Sequence, residues 1–246
     1  MKDIRIELGT RADFLALAHH HYRIGAPATC VRVLRAVPRS GSAPTPHIPG
    51  TPRLSEPQLP VGVLVVSMPV LNGAWRDAAW PGWLTGCDPR ERAVHLNRSL
   101  RAISRLIVAP EWRGLGIGRA LVRAYLDDPD TERTEAIASM GAFCPVFAAA
   151  GMREIQTRRC RRDLSLEHAL VRARIEPWRL IDEHERRVFL RDDGGELERA
   201  ARTWGRSHRL IRDRGARGVP VPTDEILALA ASRLCERVRA FVSVAA

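Results

Sequence analysis

The turn that most constrains this chain is Arg113-Gly114-Leu115-Gly116-Ile117-Gly118. It follows a run of strand character over 101–109 (Arg-Ala-Ile-Ser-Arg-Leu-Ile-Val-Ala) and opens a helical run from about Ile117 to Leu126. Alternate glycines let the backbone turn tightly and approach a ligand closely. Successive N–H groups then point into one concavity at a helix N-terminus, which attracts phosphate. Arg113 and Arg119 can add charge-assisted contacts. A nucleotide-binding P-loop needs Gly-Lys-Ser/Thr, which is absent. A dinucleotide fold needs Gly-x-Gly-x-x-Gly in a first strand–helix unit, and here the spacing differs and the turn lies at mid-chain. A ligand-free glycine turn is the remaining alternative.

The rest of the chain supplies an alternating α/β pattern around that turn. Residues 3–9 alternate like a short strand, and Thr10 or Asp13 can cap a helix running to His19-His20-His21-Tyr22. Cys30 to Val37 alternates again. From Pro38 to Pro60 there are seven prolines, so 38–60 reads as a surface loop within the domain. Val61–Ser67 is an apolar strand. Residues 71–98, with Trp75, Trp80 and Trp83, read as an irregular segment or lid with short helices. Thr134–Ser139 is a strand, Pro145–Ala150 a short helix stopped by Gly151, and Arg153–Cys160 a returning strand. From Leu164 the pattern is helical, ending in an amphipathic helix capped by Thr223-Asp224-Glu225 and carrying Ile226, Leu229, Leu234, Val238 and Phe241.

With these residues in view, Val108-x-Pro110-x-x-Arg113-Gly114-x-Gly116-x-Gly118 resembles the acetyl-CoA motif of the GNAT superfamily of N-acetyltransferases. The order of elements over about residues 3–163 is similar as well. The resemblance implies a GNAT-type α/β fold over 1–163, a mixed twisted sheet with flanking helices. Residues 164–246 form a helical, Arg-rich C-terminal extension. It implies acetyl-CoA as co-substrate, with Leu106, Ile107 and Val108 along the pantetheine arm. Arg113, Gly114, Leu115, Gly116, Ile117, Gly118 and Arg119 would hold the pyrophosphate. His21-Tyr22-Arg23, Ser104-Arg105 and Met140…Pro145-x-Phe147-x-x-x-Gly151-Met152 resemble the acetyltransferase-like modules associated with ABC-type ATPases. The His21-Tyr22 ending and the Ser104-Arg105 strand are also more distantly similar to the phage Mom DNA-modification proteins. Many GNAT members place a tyrosine acid four residues before that glycine, and an asparagine seven residues earlier. Here those positions are Phe147 and Met140.

Transfer to an amine needs a base for its proton and donors for the thioester oxygen. His21, Tyr22 and Glu135 are the catalytic candidates, with His95 and Glu111 as further bases. Glu135 lies on the strand after the motif helix, and His21 titrates near neutrality without tuning. Each has a plainer reading, as an ion-paired strand residue and a helix-end cation. The three consecutive histidines do not converge on one metal ion, because adjacent helical positions point about 100° apart.

Composition narrows the partners. The formal charge is +11, and 38 of 39 cations are arginine, Lys2 being the one lysine. Such a chain has non-specific affinity for polyanions. Arg199, Arg202, Arg206 and Arg209, spaced three, four and three apart, would line one helix face as a DNA or RNA track. Hydrophobic content of 45% suffices for a core, and the longest apolar run, Val61–Leu71, is too short to cross a bilayer. Five singly placed cysteines and no signal peptide point to a cytoplasmic location. The expected activity is acetyl transfer from acetyl-CoA to an amine acceptor of unknown identity. The alternatives are a nucleic-acid-binding nucleobase modification factor and a catalytically silent CoA-binding module.

Overall fold

The computed structural model describes residues 4–21, 25–39, 59–156, 160–192, 195–235 and 238–245. Most of the Pro-rich 38–60 stretch lies outside them, as do Tyr22 and Arg23. The chain divides into two compact units, residues 1–157 with 238–246, and residues 158–237.

The first unit is built on a seven-stranded sheet of order β1-β2-β3-β4-β5-β7-β6. The strands are β1 Ile4–Leu8, β2 Arg32–Pro38, β3 Gly62–Ser67, β4 Leu100–Val108, β5 Arg133–Ala138, β6 Arg153–Ile155 and β7 Arg239–Val244. All neighbouring pairs are antiparallel except β4 with β5. β3 is buried along its whole length, as its β-branched, uncharged sequence requires of a central strand. Its even positions Leu64 and Val66 face one core with Ile103, Leu121 and Tyr125. Its odd positions Val63 and Val65 face another with Phe14, Leu17 and Ile107. The register of β3 on β4 shifts between Val65 and Val66, leaving Ser104 as the extra residue of a bulge. Ser104 Oγ lies 2.6 Å from Ser67 Oγ there.

Helices cover both faces. Thr10 caps α1 (Arg11–Leu17) in a capping box with Asp13. The sequence reading extends this helix to Tyr22; instead it tightens into a single 3₁₀ turn over Ala18–His20. The segment after β3 holds α2 (Trp75–Ala79) and an eleven-residue α3 (Pro89–Ser99), longer than the short helices expected, its start fixed by a second capping box of Asp88 and Glu91. α4 (Ile117–Leu126) follows the glycine turn, and α5 (Val146–Ala149) ends at Gly151, whose φ is 102°. β6 runs over Arg153–Ile155, and residues 157–159 of the strand expected to Cys160 lie outside the described residues.

The second unit has its own apolar core, centred on Leu166, Leu170, Leu180, Leu197 and Trp204. It contains α6 (Arg161–Arg172), α7 (Glu183–Asp192), α8 (Glu196–Gly205), α9 (Arg209–Ala216) and α10 (Thr223–Cys235). The indole N–H of Trp204 donates to buried Asp163 at 2.9 Å. The sequence reading carries the last helix through Phe241 and the extension to residue 246. The structure corrects both: α10 ends at Cys235, and Val242 pairs with Glu135 and Arg153 as part of β7. The helical unit therefore lies, along the chain, within the β6-to-β7 connection, and the last strand completes the sheet.

Candidate active site

β4 and β5 pair only over Leu100–Ile103 and Arg133–Ala136. Beyond Ile103 the two parallel strands part, and the β5-facing edge of 104–108 has no strand partner among the described residues. The Ala109 N–H donates to the Val61 carbonyl on the β3 side. Antiparallel bonding alternates along a strand, so the amides and carbonyls of Leu106 and Val108 point the other way, into the opening. The side chains of Leu106 and Val108 pack towards α4, whereas that of Ile107 is buried against α1. Ile107 has its side chain on the far face, and by the same alternation its amide and carbonyl point to β3, so the expectation that it lies along a bound arm is corrected to Leu106 and Val108 alone.

The glycine turn closes the top of this opening. Gly114 and Gly116 have φ of 80° and 79°, values that L side chains reach only with strain. Gly116 caps α4 from the left-handed region with no side-chain bond. The first helical bond runs from Ala120 N–H to the Gly116 carbonyl. The amides of residues 114–119 therefore find no acceptor among the described residues, as the first turn of a helix dictates. Arg113, Leu115 and Arg119 are exposed around them, and Arg113 Nε donates to the Val108 carbonyl at 3.0 Å. Two members of the turn face inward. Ile117 is buried beneath Gly62. A Cβ on Gly118 would meet Val146 at 3.2 Å, so this glycine lets α4 approach α5 and does not widen the ligand cradle. Unpaired amides converging at a helix start fit a pyrophosphate, and the residues present suit acetyl-CoA.

The catalytic candidates separate. Glu135 is 1% exposed, and both carboxylate oxygens are engaged. Arg76 Nη2 donates to Oε1 at 2.6 Å, Arg76 Nε to Oε2 at 2.9 Å, and Trp75 Nε1 to Oε2 at 2.8 Å. This is the ion-paired strand residue of the plainer reading. Nothing in the sequence around Arg76 marks it as the partner, because residues 75–76 lie 59 positions or more from Glu135. His21 follows the 3₁₀ turn, which packs against β4, and is half-buried. Tyr22 lies outside the described residues. His95 is on α3, edge-on to Trp83, and Glu111 is exposed on the 110–112 turn. Tyr125 is no substitute acid: burial and the nearby Asp130 push its phenol up to about 12. Phe147 is buried with its ring centroid 5.3 Å from that of Phe241.

The stretch from α2 through β4, the glycine turn and β5 is the part of the chain that is similar to a known family. Residues 75–142 match the acetyltransferase (GNAT) family. The match contains the parted β4 edge, the amide cradle, Arg76 and Glu135. It supports the GNAT superfamily, whose domains in general bind acetyl-CoA and transfer its acetyl group. No curated protein matches the chain.

The arginine stripe is not a helix face. α8 ends at Gly205, and α9 starts at Arg209 after a break at 206–208. Arg202 pairs with Glu198 at 2.9 Å. Among the described residues no cluster of three ligating side chains could hold a metal, and no helix is long and apolar enough to cross a membrane.

Proposed function

We propose that this protein is an acetyl-CoA-dependent N-acetyltransferase acting on an amine acceptor. The observation that carries the reading is the row of acceptor-free amides at 114–119, set at the end of a strand edge that β5 leaves open. When bound, acetyl-CoA supplies an acetyl thioester. The amides of Gly114 to Arg119 bind its pyrophosphate, with Arg113 and Arg119 contributing charge. The Leu106 and Val108 backbone groups hydrogen-bond along the opening and orient the arm. His21, beside β4 on the α1 face, takes the proton from the acceptor amine. Glu135 positions α2 through Arg76. Phe147 offers no proton, so thiol release relies on solvent.

The test is acetyl transfer from radiolabelled acetyl-CoA to a panel of amines: peptides, polyamines, aminoglycosides and nucleobases in oligonucleotides. Incorporation that falls at least tenfold in His21→Gln supports the reading. Acetyl-CoA binding without transfer to any class supports the silent CoA-binding module instead.

A further inference from the structure

The break that dissolves the arginine stripe also makes a cavity within the helical unit. It is an open groove of about 410 Å³. Its floor is apolar: Ile211 from α9, Val221, and Ile226 from α10. Gly205 makes that floor possible, since a Cβ there would come within 3.2 Å of both Ile211 and Ile226. The cationic wall is Arg202 at the end of α8, Arg206 in the break and Arg212 on α9. On one straight helix Arg212 would lie ten positions from Arg202; the turn at 206–208 lets both line one cavity.

Charge selects the occupant. Arg202 is matched by Glu198. Arg206 and Arg212 have no acidic partner among the described residues, so two positive charges line the cavity uncompensated. A carboxylate would leave one of them unmatched. A phosphate monoester carries about −1.5 to −2 at pH 7 and offers acceptors in the geometry a guanidinium fork fits. The aliphatic floor takes a ring or other apolar body attached to that phosphate. We infer that Arg202, Arg206 and Arg212 over Ile211, Val221 and Ile226 form a binding site for an organic phosphate of nucleotide size. The ligand is either a free mononucleotide or one nucleotide of a single strand.

Calorimetry of the full chain with AMP, with an eight-nucleotide single-stranded DNA and with benzoate tests this. Arg206→Gln/Arg212→Gln, both exposed positions, should weaken AMP or oligonucleotide binding at least tenfold. Circular dichroism should stay unchanged. AMP binding as tightly as the oligonucleotide identifies a free nucleotide. Tighter oligonucleotide binding, with a salt slope reduced by about 0.7 per lost phosphate contact, identifies a strand. Gly116→Val separates this site from the acetyl-CoA turn: it should lower acetyl-CoA binding and leave the arginine-dependent AMP binding intact. Benzoate binding more tightly than AMP, or AMP and oligonucleotide binding indifferent to the double substitution, would overturn the assignment.

Discussion

Arg76 and Glu135 form a two-pronged ion pair between α2 and β5, with side chains 1% and 2% exposed. Two charges withdrawn from water this far are tolerated only because each satisfies the other. Trp75 adds a third donor to the same carboxylate. The pair therefore pins the start of the family-matched segment onto the sheet.

Breaking one side of that pair leaves an unmatched buried charge. Arg76→Met is expected to cost about 3–5 kcal/mol in urea unfolding. Arg76→Met combined with Glu135→Leu should cost less than Arg76→Met alone. A double variant less stable than the single one would show that the pair contributes net stability beyond mutual neutralisation.

Gly114 and Gly118 should fail for different reasons. Gly118→Val pushes methyl groups into Val146 and is expected to cost about 1–3 kcal/mol of stability. Gly114→Ala meets no atom within 4 Å, and its cost of about 1–2 kcal/mol arises from φ of 80° alone. Asn tolerates that region better than Ala, so Gly114→Asn should recover part of the loss. Equal melting of Gly114→Ala and Gly114→Asn would contradict the left-handed requirement.

Asp13 gives a pH signature. Burial raises its carboxyl pKa, but bonds from the Thr10 amide and hydroxyl and from Arg35 outweigh this and hold it below the usual carboxylate value. A lowered folded pKa means stability that is present above about pH 4 and lost as pH falls through the folded value. Asp13→Asn should therefore be about 0.5–2 kcal/mol less stable at pH 7, with the deficit shrinking below pH 4. Unfolding curves for both proteins from pH 7 to pH 2.5 check it. A constant deficit across that range would mean that the ionised form is not what matters.

Much of the sheet was legible because its signals are local. β3 and β4 are short β-branched runs, and the glycine turn announces α4 at Ile117 as observed. The last strand was not legible. Leu234, Val238 and Phe241 continue a helical spacing from α10, and only the fold shows that Ala240, Phe241 and Val242 lie in the sheet. That Ile107 faces away from Leu106 and Val108 follows from strand alternation alone, which the bulge at Ser104 leaves unchanged over 105–108. The sequence offers Glu135 as a base but not its ion-pair partner, because Arg76 lies on a five-residue helix with no distinguishing motif. The arginine spacing suggested one continuous face; Gly205, a poor helix residue, marks where the helix ends.

Phe147→Tyr measures how far the site departs from the usual acid. The ring packs against Phe241 in the core, and the added hydroxyl should raise kcat by no more than several-fold. A hundredfold gain would show that proton delivery to the leaving thiol limits the proposed transfer, contrary to solvent protonation.

The central claim is that the 113–119 turn holds acetyl-CoA. Titration calorimetry of the full chain with acetyl-CoA, in wild type and in Gly116→Val, tests it most directly. The account predicts one-to-one binding to wild type and at least a tenfold loss in the variant, whose side chain would strain the left-handed cap and crowd the free amides. No binding to wild type at millimolar acetyl-CoA, or equal binding by both proteins, would contradict it.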